Sequence, residues 1–490
     1  MHRSGAPAVR RQTVAVAGLI AGGVASLAVA HGLGYDAWSW MVWARELVHG
    51  TLSTHGGPSL KALPVLLDAP LTLLGGAAPL AWLAIARVSA LLALLLAWRI
   101  GTRLAGPVAG WTAALALAVS PDLGATALYG SSEPLLVLLV LAAVDRHLHD
   151  RRRHAFVLLG LAGLIRPELW PIVLVLALAQ WRSTRRLDPL VVACVAVSPA
   201  IWLALAWLGT GSALTQVIDP FAAPAATPCT HCVAHLLATG HRRAPAVAGH
   251  GLAALVGAIS ALALPALLIA AVGAIDALRR RDRDVVLLAA LGVGWVLIVV
   301  AMTQLGYPGS RRYFAGPAAL FALVAGVGVA RLCAPMPRRW ARAAALAVAV
   351  LVGVSALPAM LKTTRLVGVA RAQDSTVAQL GEAIALAGGR AKVLAFGCPA
   401  INPWRQSALA WQLDTPLAEV QATWHSTHVH PHWRPPAIIF RGPGDLTGAV
   451  PALPRHWVAR LIGRVGAWTI LRATAGANAL RAPAACAHGH

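Results

Sequence analysis

The chain has 490 residues, of which 58% are hydrophobic and 12% are charged, and its mean hydropathy is +0.68. This composition excludes an ordinary soluble enzyme and predicts a polytopic α-helical membrane protein. A formal net charge of +23 would suit a nucleic-acid-binding protein. Most of the arginines, however, lie in short loops between apolar segments, so we expect membrane lipids and no nucleic acid as partners.

The apolar segments predict about eleven transmembrane helices, with the N-terminus in the cytoplasm. A basic segment precedes the first helix, and the most arginine-rich loops fall on one side when the helices are counted in order. The helices are expected at residues 13–30, 80–101, 107–120, 133–144, 156–165, 169–181, 189–208, 252–278, 285–303, 314–332 and 343–361. This pattern predicts a multi-pass protein of the plasma (inner) membrane.

The first outer loop, residues 31–78, is too polar to cross a bilayer and too apolar to be freely solvated. It predicts two helices on the membrane surface, at 36–49 and 60–73. Its aromatic side chains are expected at headgroup level: Tyr35, Trp38, Trp40 and Trp43. Asp36 lies where the first span meets this surface, and Lys61 is one of three lysines in the chain. An acid and a cation at this depth predict a functional site.

The composition changes after the last apolar segment. We predict a membrane domain at 1–362, an extracytoplasmic α/β domain at 363–475 and a flexible tail at 476–490. The stretch 365–475 contains eleven basic and five acidic residues, which would attract an anionic lipid or glycan. An arginine-rich codon bias of the gene is the alternative explanation.

Within the α/β domain, turn and capping residues predict the elements. A helix is expected from Asp374, as its cap, to the glycine pair Gly388 and Gly389, where it ends. A second helix is expected at 403–413. Alternating and β-branched patterns predict strands at 392–397, 437–442 and 467–473.

The other charged residues expected near the membrane on the outer face are few, and they come from loops that are distant in the sequence. They include Glu133, Arg166, Glu168, Arg311 and Arg312. A cavity that gathered them would offer carboxylates for base chemistry and guanidinium groups for a phosphate.

Four segments carry a resemblance to the GT-C superfamily of membrane glycosyltransferases, which includes protein O-mannosyltransferases, aminoarabinose transferases and actinobacterial arabinofuranosyltransferases. GYDAW with SLKALPVLLDAPL resembles the family's first outer loop, and SSEPLLVLLVLAA resembles its later acidic outer segment. GLIRPELWP is similar to its Arg-Pro-Glu turn, and YPGSRRYFAGPAALF to its Arg-Tyr segment. The resemblance covers residues 13–360.

The resemblance implies a glycosyltransferase that takes a sugar from a polyprenyl-phosphate donor and passes it, with inversion, to a hydroxyl of a glycan, lipid or protein. It implies Asp36 as the general base, with Glu133 as a second catalytic acid. The donor phosphate is expected at Lys61, Arg311, Arg312 and Tyr313, while Arg166 and Glu168 shape the cavity. We predict no metal site, because Asp36 has no adjacent acid with which to share a metal ion, and a divalent metal is left open as a cofactor.

Each assignment has a structural alternative. Asp36 would serve as a helix cap, Lys61 would extend to the headgroups, and Glu168 would pair with Arg166 at a helix end. Arg311 and Arg312 would anchor a span among lipid phosphates. For the whole protein, the alternatives are a transporter or flippase of lipid-linked glycans and a non-catalytic cell-wall assembly subunit.

Three motifs suggest metal sites only at first sight. Asp282-Arg283-Asp284 spells D-x-D in a basic cytoplasmic loop, where we predict a solvated loop. Cys229 and Cys232 have zinc-like spacing but no second pair, so a local disulfide or two thiols are favoured. The run His425–His432 has no acid close by. The six cysteines are scattered and predict no disulfide framework.

Overall fold

The computed structural model of the protein describes residues 6–55, 57–186, 188–213, 264–304, 310–422, 437–442 and 457–475. The described residues are mostly helical, as the apolar segments predict. The α-helices, in chain order, are α1 Ala6–Ala25, α2 Tyr35–Val48, α3 Ala62–Leu71, α4 Ala78–Ala105, α5 Pro107–Ala118, α6 Pro121–Leu128, α7 Glu133–Leu148, α8 Arg152–Gly163, α9 Leu169–Thr184, α10 Pro189–Thr210, α11 Leu264–Arg280, α12 Arg283–Gln304, α13 Ala315–Cys333, α14 Arg338–Leu386, α15 Arg390–Phe396 and α16 Gln406–Leu413. The strands are β1 Ala400–Ile401, β2 Gln421–Ala422, β3 Ala437–Arg441, β4 Trp457–Val465 and β5 Trp468–Ala475.

Four helical runs in the described part of the chain are long and apolar enough to cross a membrane. They are Ala62–Ala105, Pro189–Thr210, Arg283–Gln304 and Arg311–Cys333. A fifth is reached if α5 and α6, which are bent by 57° at their junction, act as one span. Other apolar helices are short: α8 has 12 residues, or about 18 Å at the usual helical rise, against the roughly 30 Å of a bilayer core. The total of about eleven spans therefore stays a prediction.

The chain divides into two compact units. The first contains Met1–His31, Leu80–Trp202 and Pro245–Val369. The second contains Gly32–Pro79, Leu203–Ala244 and Ala370–His490. The predicted first outer loop thus belongs to the same unit as the C-terminal residues.

Helix α13 lies at the centre of the first unit, and small residues make this possible. Of the most apolar 18-residue stretch in the run Arg311–Cys333, 83% is buried. A Cβ added at Gly326 would overlap the carbonyl oxygen of Ala109 in α5. One added at Gly328 would stand 2.8 Å from the carbonyl oxygen of Ile269 in α11. These backbones approach closely because glycine has no side chain, which is how helices pack in a lipid environment where apolar burial alone gives little drive.

The second unit combines α2 and α3 with a five-stranded sheet in the order β2-β1-β3-β5-β4. β1 runs parallel to β2 and β3, whereas β5 pairs antiparallel with β3 and with β4. The register between β4 and β5 shifts at a bulge between Leu461 and Gly463. The predicted surface helices are confirmed as helices α2 and α3, and strands β3 and β5 lie where the sequence predicts them.

Two predictions for the C-terminal part are wrong. The stretch KVLAFG is helix α15, not a strand, since a short apolar run has no period that separates the two forms and Gly389 at the N-cap starts a helix. Asp374 is not a cap, because α14 is continuous from Arg338 and contains it. The stop at the glycine pair is confirmed: Gly388 and Gly389 have φ of 100° and 84°.

The cysteine prediction also needs a correction. Cys398 is disulfide-bonded, although the scattered cysteines gave no sign of a disulfide in this region. Cys194 and Cys333 are free thiols. The pair Cys229 and Cys232 and the run His425–His432 lie outside the described residues.

Candidate functional site

Helix α2 carries the predicted base. Its N-cap is Gly34, which is extended and makes no side-chain cap hydrogen bond, and Asp36 lies in the first turn. Asp36 is therefore not the N-cap, and the structural alternative of a capping aspartate is wrong. A carboxylate in the first turn is still stabilised in its charged form by the positive end of the helix dipole.

The tryptophans of α2 are buried. Trp40 and Trp43 are 1% and 0% exposed, and Trp38 is also buried. They belong to the core of the second unit and are covered by protein, because α2 packs into protein on most of its faces. Their depth in the membrane stays a prediction. This packing fixes the helix on which Asp36 lies.

Polar contacts hold α2 against α16 and the loop that follows it. The hydroxyl oxygens of Ser39 and Ser407 are 2.7 Å apart. Arg45 donates to the carbonyl oxygens of Ala410, at 3.3 Å, and Trp411, at 3.2 Å. These two carbonyls lie in the last turn of α16, where they also accept from the backbone N–H groups of Asp414 and Thr415. Arg45 thus caps one helix from another.

Glu46 is the second polar tie, and it is 3% exposed. Its carboxylate accepts hydrogen bonds from the backbone N–H groups of Ser53, at 2.8 Å, and Leu417, at 3.2 Å. Burial raises the pKa of Glu46 from 4.5 to about 7, although both hydrogen bonds and Arg45 act in the opposite direction. The sequence offered no signal for this role beyond the scarcity of charge in the loop.

Helix α3 begins at the second predicted site residue. Lys61 occupies the N-cap of α3 and is 2% exposed. Its side chain is therefore buried in protein and does not extend to the headgroups. Asp68, seven residues on, lies on the same helical face and is 0% exposed. Within the described residues its two carboxyl oxygens have no hydrogen-bond partner. An acid and a lysine are therefore both buried along α3.

In the first unit, four of the predicted residues form one cluster around Arg166, which is fully buried. Its guanidinium group contacts Glu133 in a short ion pair and lies 3.8 Å from Glu168. It also stacks over the ring of Tyr313 at 4.2 Å. The predicted pairing of Glu168 with Arg166 is present, and Glu133 and Tyr313 join it.

The adjacent arginines of the Arg-Tyr segment have different surroundings. Arg311 binds Asp122 through Nε, at 3.1 Å and 3.0 Å from the two carboxyl oxygens, and through Nη2 at 2.6 Å. Arg312 lies over the Tyr313 ring at 5.9 Å. Asp122 was not predicted as a site residue, because the sequence cannot reveal a partner 189 positions away.

The predicted site residues are thus distributed over both units. Asp36 and Lys61 belong to the second unit, and the Arg166 cluster, Arg311 and Arg312 belong to the first. Among the described residues there is no group of three or more His, Cys, Asp or Glu side chains that could hold a metal ion. The Asp282-Arg283-Asp284 motif is not purely solvated, since Asp282 pairs with Arg331 and bonds the N–H of Val285 at the start of α12.

Comparison with solved structures shows that the chain shares its fold with ArnT, in agreement with the fold that the sequence resemblance implies. ArnT from Cupriavidus metallidurans bound to undecaprenyl phosphate matches with a TM-score of 0.53 at 15% identity, covering 97% of this chain and 100% of that one. The apo state of the same protein gives 0.56 at 18% identity, with 96% and 98% covered.

An Archaeoglobus fulgidus oligosaccharyltransferase in complex with Zn and sulfate gives a TM-score of 0.48 at 14% identity, with 81% of this chain and 61% of that chain covered. No family model matches the sequence, and no curated protein matches it. At these identities the likeness defines the fold alone.

Proposed function

We propose that the protein is a membrane glycosyltransferase that moves a sugar from a polyprenyl-phosphate donor to a hydroxyl of a cell-envelope glycan, lipid or protein on the outer face of the membrane. The observation that carries the proposal is the position of Asp36. Asp36 is a half-buried acid in the first turn of α2, the helix that follows α1 and carries three buried tryptophans. The fold is shared over nearly the whole chain with a protein solved with undecaprenyl phosphate bound.

In the proposed reaction, Asp36 accepts the proton of the acceptor hydroxyl while that oxygen attacks the anomeric carbon. The bond between the anomeric carbon and the phosphate oxygen breaks, and the polyprenyl phosphate leaves as an anion. Cations that meet the growing charge on the phosphate lower the barrier. No covalent intermediate is required, and the anomeric configuration inverts.

Lys61 is the lysine proposed for the phosphate, and its burial supports the assignment. A buried ammonium interacts more strongly with an anion than an exposed one does, because water screens it less. Arg311 and Arg312, with Tyr313, are proposed as further phosphate ligands. Arg311 would exchange its contacts with Asp122 for the phosphate oxygens, which offer the same bidentate geometry as a carboxylate.

The Arg166 cluster supports the role proposed for Tyr313. Arg166 holds the ring of Tyr313 by stacking and is itself held by Glu133 and Glu168. We propose that Arg166 and Glu168 fix Tyr313 in place. The catalytic role predicted for Glu133 stays a prediction, and the contact with Arg166 gives that residue a positioning role as well.

The test is release of the lipid phosphate. Purified protein is incubated with undecaprenyl-phosphate sugars prepared from a panel of nucleotide sugars, together with a membrane extract as acceptor. A transferase releases undecaprenyl phosphate and forms a glycoside of inverted configuration. If the labelled sugar crosses the membrane of a proteoliposome with its phosphate bond intact, the protein is a flippase and the proposal fails.

A second measurement addresses the phosphate ligand. Lys61→Ala is expected to weaken binding of undecaprenyl phosphate by about tenfold or more, the effect of losing a hydrogen bond to a charged group. Lys392→Ala is the matched control, since it removes a lysine that has no place in the proposed site. Equal affinities in the two variants would remove Lys61 from the phosphate site.

A further inference from the structure

A second polar site lies within the second unit, apart from the residues proposed for catalysis. An open cleft of about 720 Å³ is lined by residues of α2, α14 and α16, by Arg390 at the start of α15, and by the 3-10 helix Thr72–Ala77. This volume is in the range of small-molecule binding sites. Neither Asp36 nor Lys61 lines it.

The wall of the cleft carries an excess of positive charge. Arg45 and Arg390 both pair with Asp414, and the Arg45 contact is 2.9 Å. Two guanidinium groups thus share one carboxylate. His49 also lines the cleft; its Nδ1 is 2.7 Å from the carbonyl oxygen of Arg45.

Arg390 is the cation that can reach a ligand. The Nη donors of Arg45 are used on Asp414 and on the carbonyl oxygens of Ala410, Trp411 and Thr415. The side chain of Arg390, by contrast, is 47% exposed. Its Nη2 bonds Asp414, and within the described part of the chain its Nε and Nη1 make no hydrogen bond. Asp414 is held by both arginines, so the cleft is suited to binding an anion and not to base chemistry.

Part of the cleft lining is apolar and, in the sequence, shortly precedes a helix long enough to span a membrane. Leu73 lines the cleft and is 84% exposed, and Val48 lines it and is 52% exposed. Leu73 precedes Ala78, the first residue of α4, by five positions, a chain length of at most about 18 Å. The apolar run containing α4 is long enough to cross the membrane. If that run spans the bilayer, Leu73 lies within about 18 Å of the start of α4, which suits a site where headgroups meet acyl chains.

We propose that this cleft binds the phosphate headgroup of an anionic bilayer phospholipid, with Arg390 on the phosphate oxygens and Leu73 against the first carbons of an acyl chain. Such a lipid would hold the C-terminal α/β part at the membrane surface. The partner is a bilayer lipid and not the polyprenyl-phosphate donor, because none of the residues proposed for the donor phosphate lines the cleft.

The test titrates the purified full-length protein with short-chain phosphatidylglycerol and counts bound lipid by native mass spectrometry. Phosphatidylcholine is the comparison lipid. Arg390→Ala is expected to weaken phosphatidylglycerol binding about tenfold, as loss of a charge-assisted contact does. Arg460→Ala is the matched control, since Arg460 is an exposed arginine of β4 and its loss changes the net charge equally. It should bind as the unaltered protein does.

Gly381→Leu supplies a variant that leaves every charge in place. Gly381 lines the cleft, and a Cβ there would stand 3.6 Å from Gln412 Oε1, an ordinary contact that α14 tolerates. The longer side chain should exclude the lipid. Equal binding by Arg390→Ala, Gly381→Leu and Arg460→Ala would overturn the proposal. The proposal would also fail if Arg390→Ala and Gly381→Leu weakened the binding of undecaprenyl phosphate and not that of phosphatidylglycerol. That result would assign the cleft to the donor.

Discussion

At the scale of single residues, the buried carboxyl group of Glu46 is expected to make the free energy of unfolding depend on pH. Burial raises its pKa to about 7, so the folded state holds a proton more tightly than the unfolded chain does. The resulting stabilisation is present below pH 4.5 and is lost as the pH rises through about 7. We expect the free energy of unfolding to fall between these values, and Glu46→Gln to flatten that slope.

The measurement is denaturant unfolding of the full chain across this pH range, followed by tryptophan fluorescence. Glu382→Gln is the control, because Glu382 is exposed and should leave the slope unchanged. A slope that persists in Glu46→Gln would assign the pH dependence to another group.

Arg166 is the residue whose loss should cost the most stability. Arg166→Met leaves the carboxylates of Glu133 and Glu168 buried without their cation, which typically costs about 3–5 kcal/mol. Arg153→Met is the comparison, since Arg153 forms an ion pair with Asp188 at a 68% exposed position. Melting temperatures of the two variants in the same detergent should differ widely. Similar values would show that the Arg166 cluster adds little.

At the scale of elements, the sequence predicts helices well where turn residues bracket an apolar run. Helices α2 and α3 were predicted to within about two residues because Gly34 and the turn before Lys61 separate them. The prediction fails at α15, where five apolar or small residues fit either a strand or a helix, and at Asp374, where no breaker precedes the acid. Those outcomes are decided by packing.

The close approach of α13 to its neighbours predicts a sharp contrast between two glycines. Gly326→Leu places a side chain where the Ala109 carbonyl already lies, and overpacking of this kind costs about 1–3 kcal/mol or more. Gly353→Leu meets no atom within 4 Å and replaces a poor helix former. The first variant should melt lower than the parent and the second should not. Equal melting would mean that α13 does not pack as described.

At the scale of the whole molecule, the arginine bias predicts that the C-terminal α/β part lies outside the cell. Cys398 cannot report this, because it is disulfide-bonded. Leu461 is 58% exposed on β4, so Leu461→Cys should react with a membrane-impermeant maleimide on intact cells. Arg151→Cys, in a loop predicted to be cytoplasmic, should react only after permeabilisation. The reverse pattern would contradict the outer-face reaction.

The sequence alone also indicated much of the candidate site, and the reason is the scarcity of charge. In a chain with 12% charged residues, each acid or base near a span end stands out. The scarcity of charged residues does not reveal, however, which of them form ion pairs with each other. The contacts of Arg311 with Asp122 and of Arg166 with Glu133 join positions far apart in the chain, and only the packing of the helices brings them together.

The measurement that tests the central claim most directly is transfer by Asp36→Asn. Asn has nearly the same shape but cannot accept the hydroxyl proton. Asp150→Asn is the matched control, since Asp150 is an exposed loop residue with φ of 55°, a conformation that Asn also adopts. Both variants should bind undecaprenyl phosphate normally. Asp36→Asn alone should lose roughly two to four orders of magnitude in turnover, whereas transfer at the control's rate would contradict the assignment of Asp36 as the base.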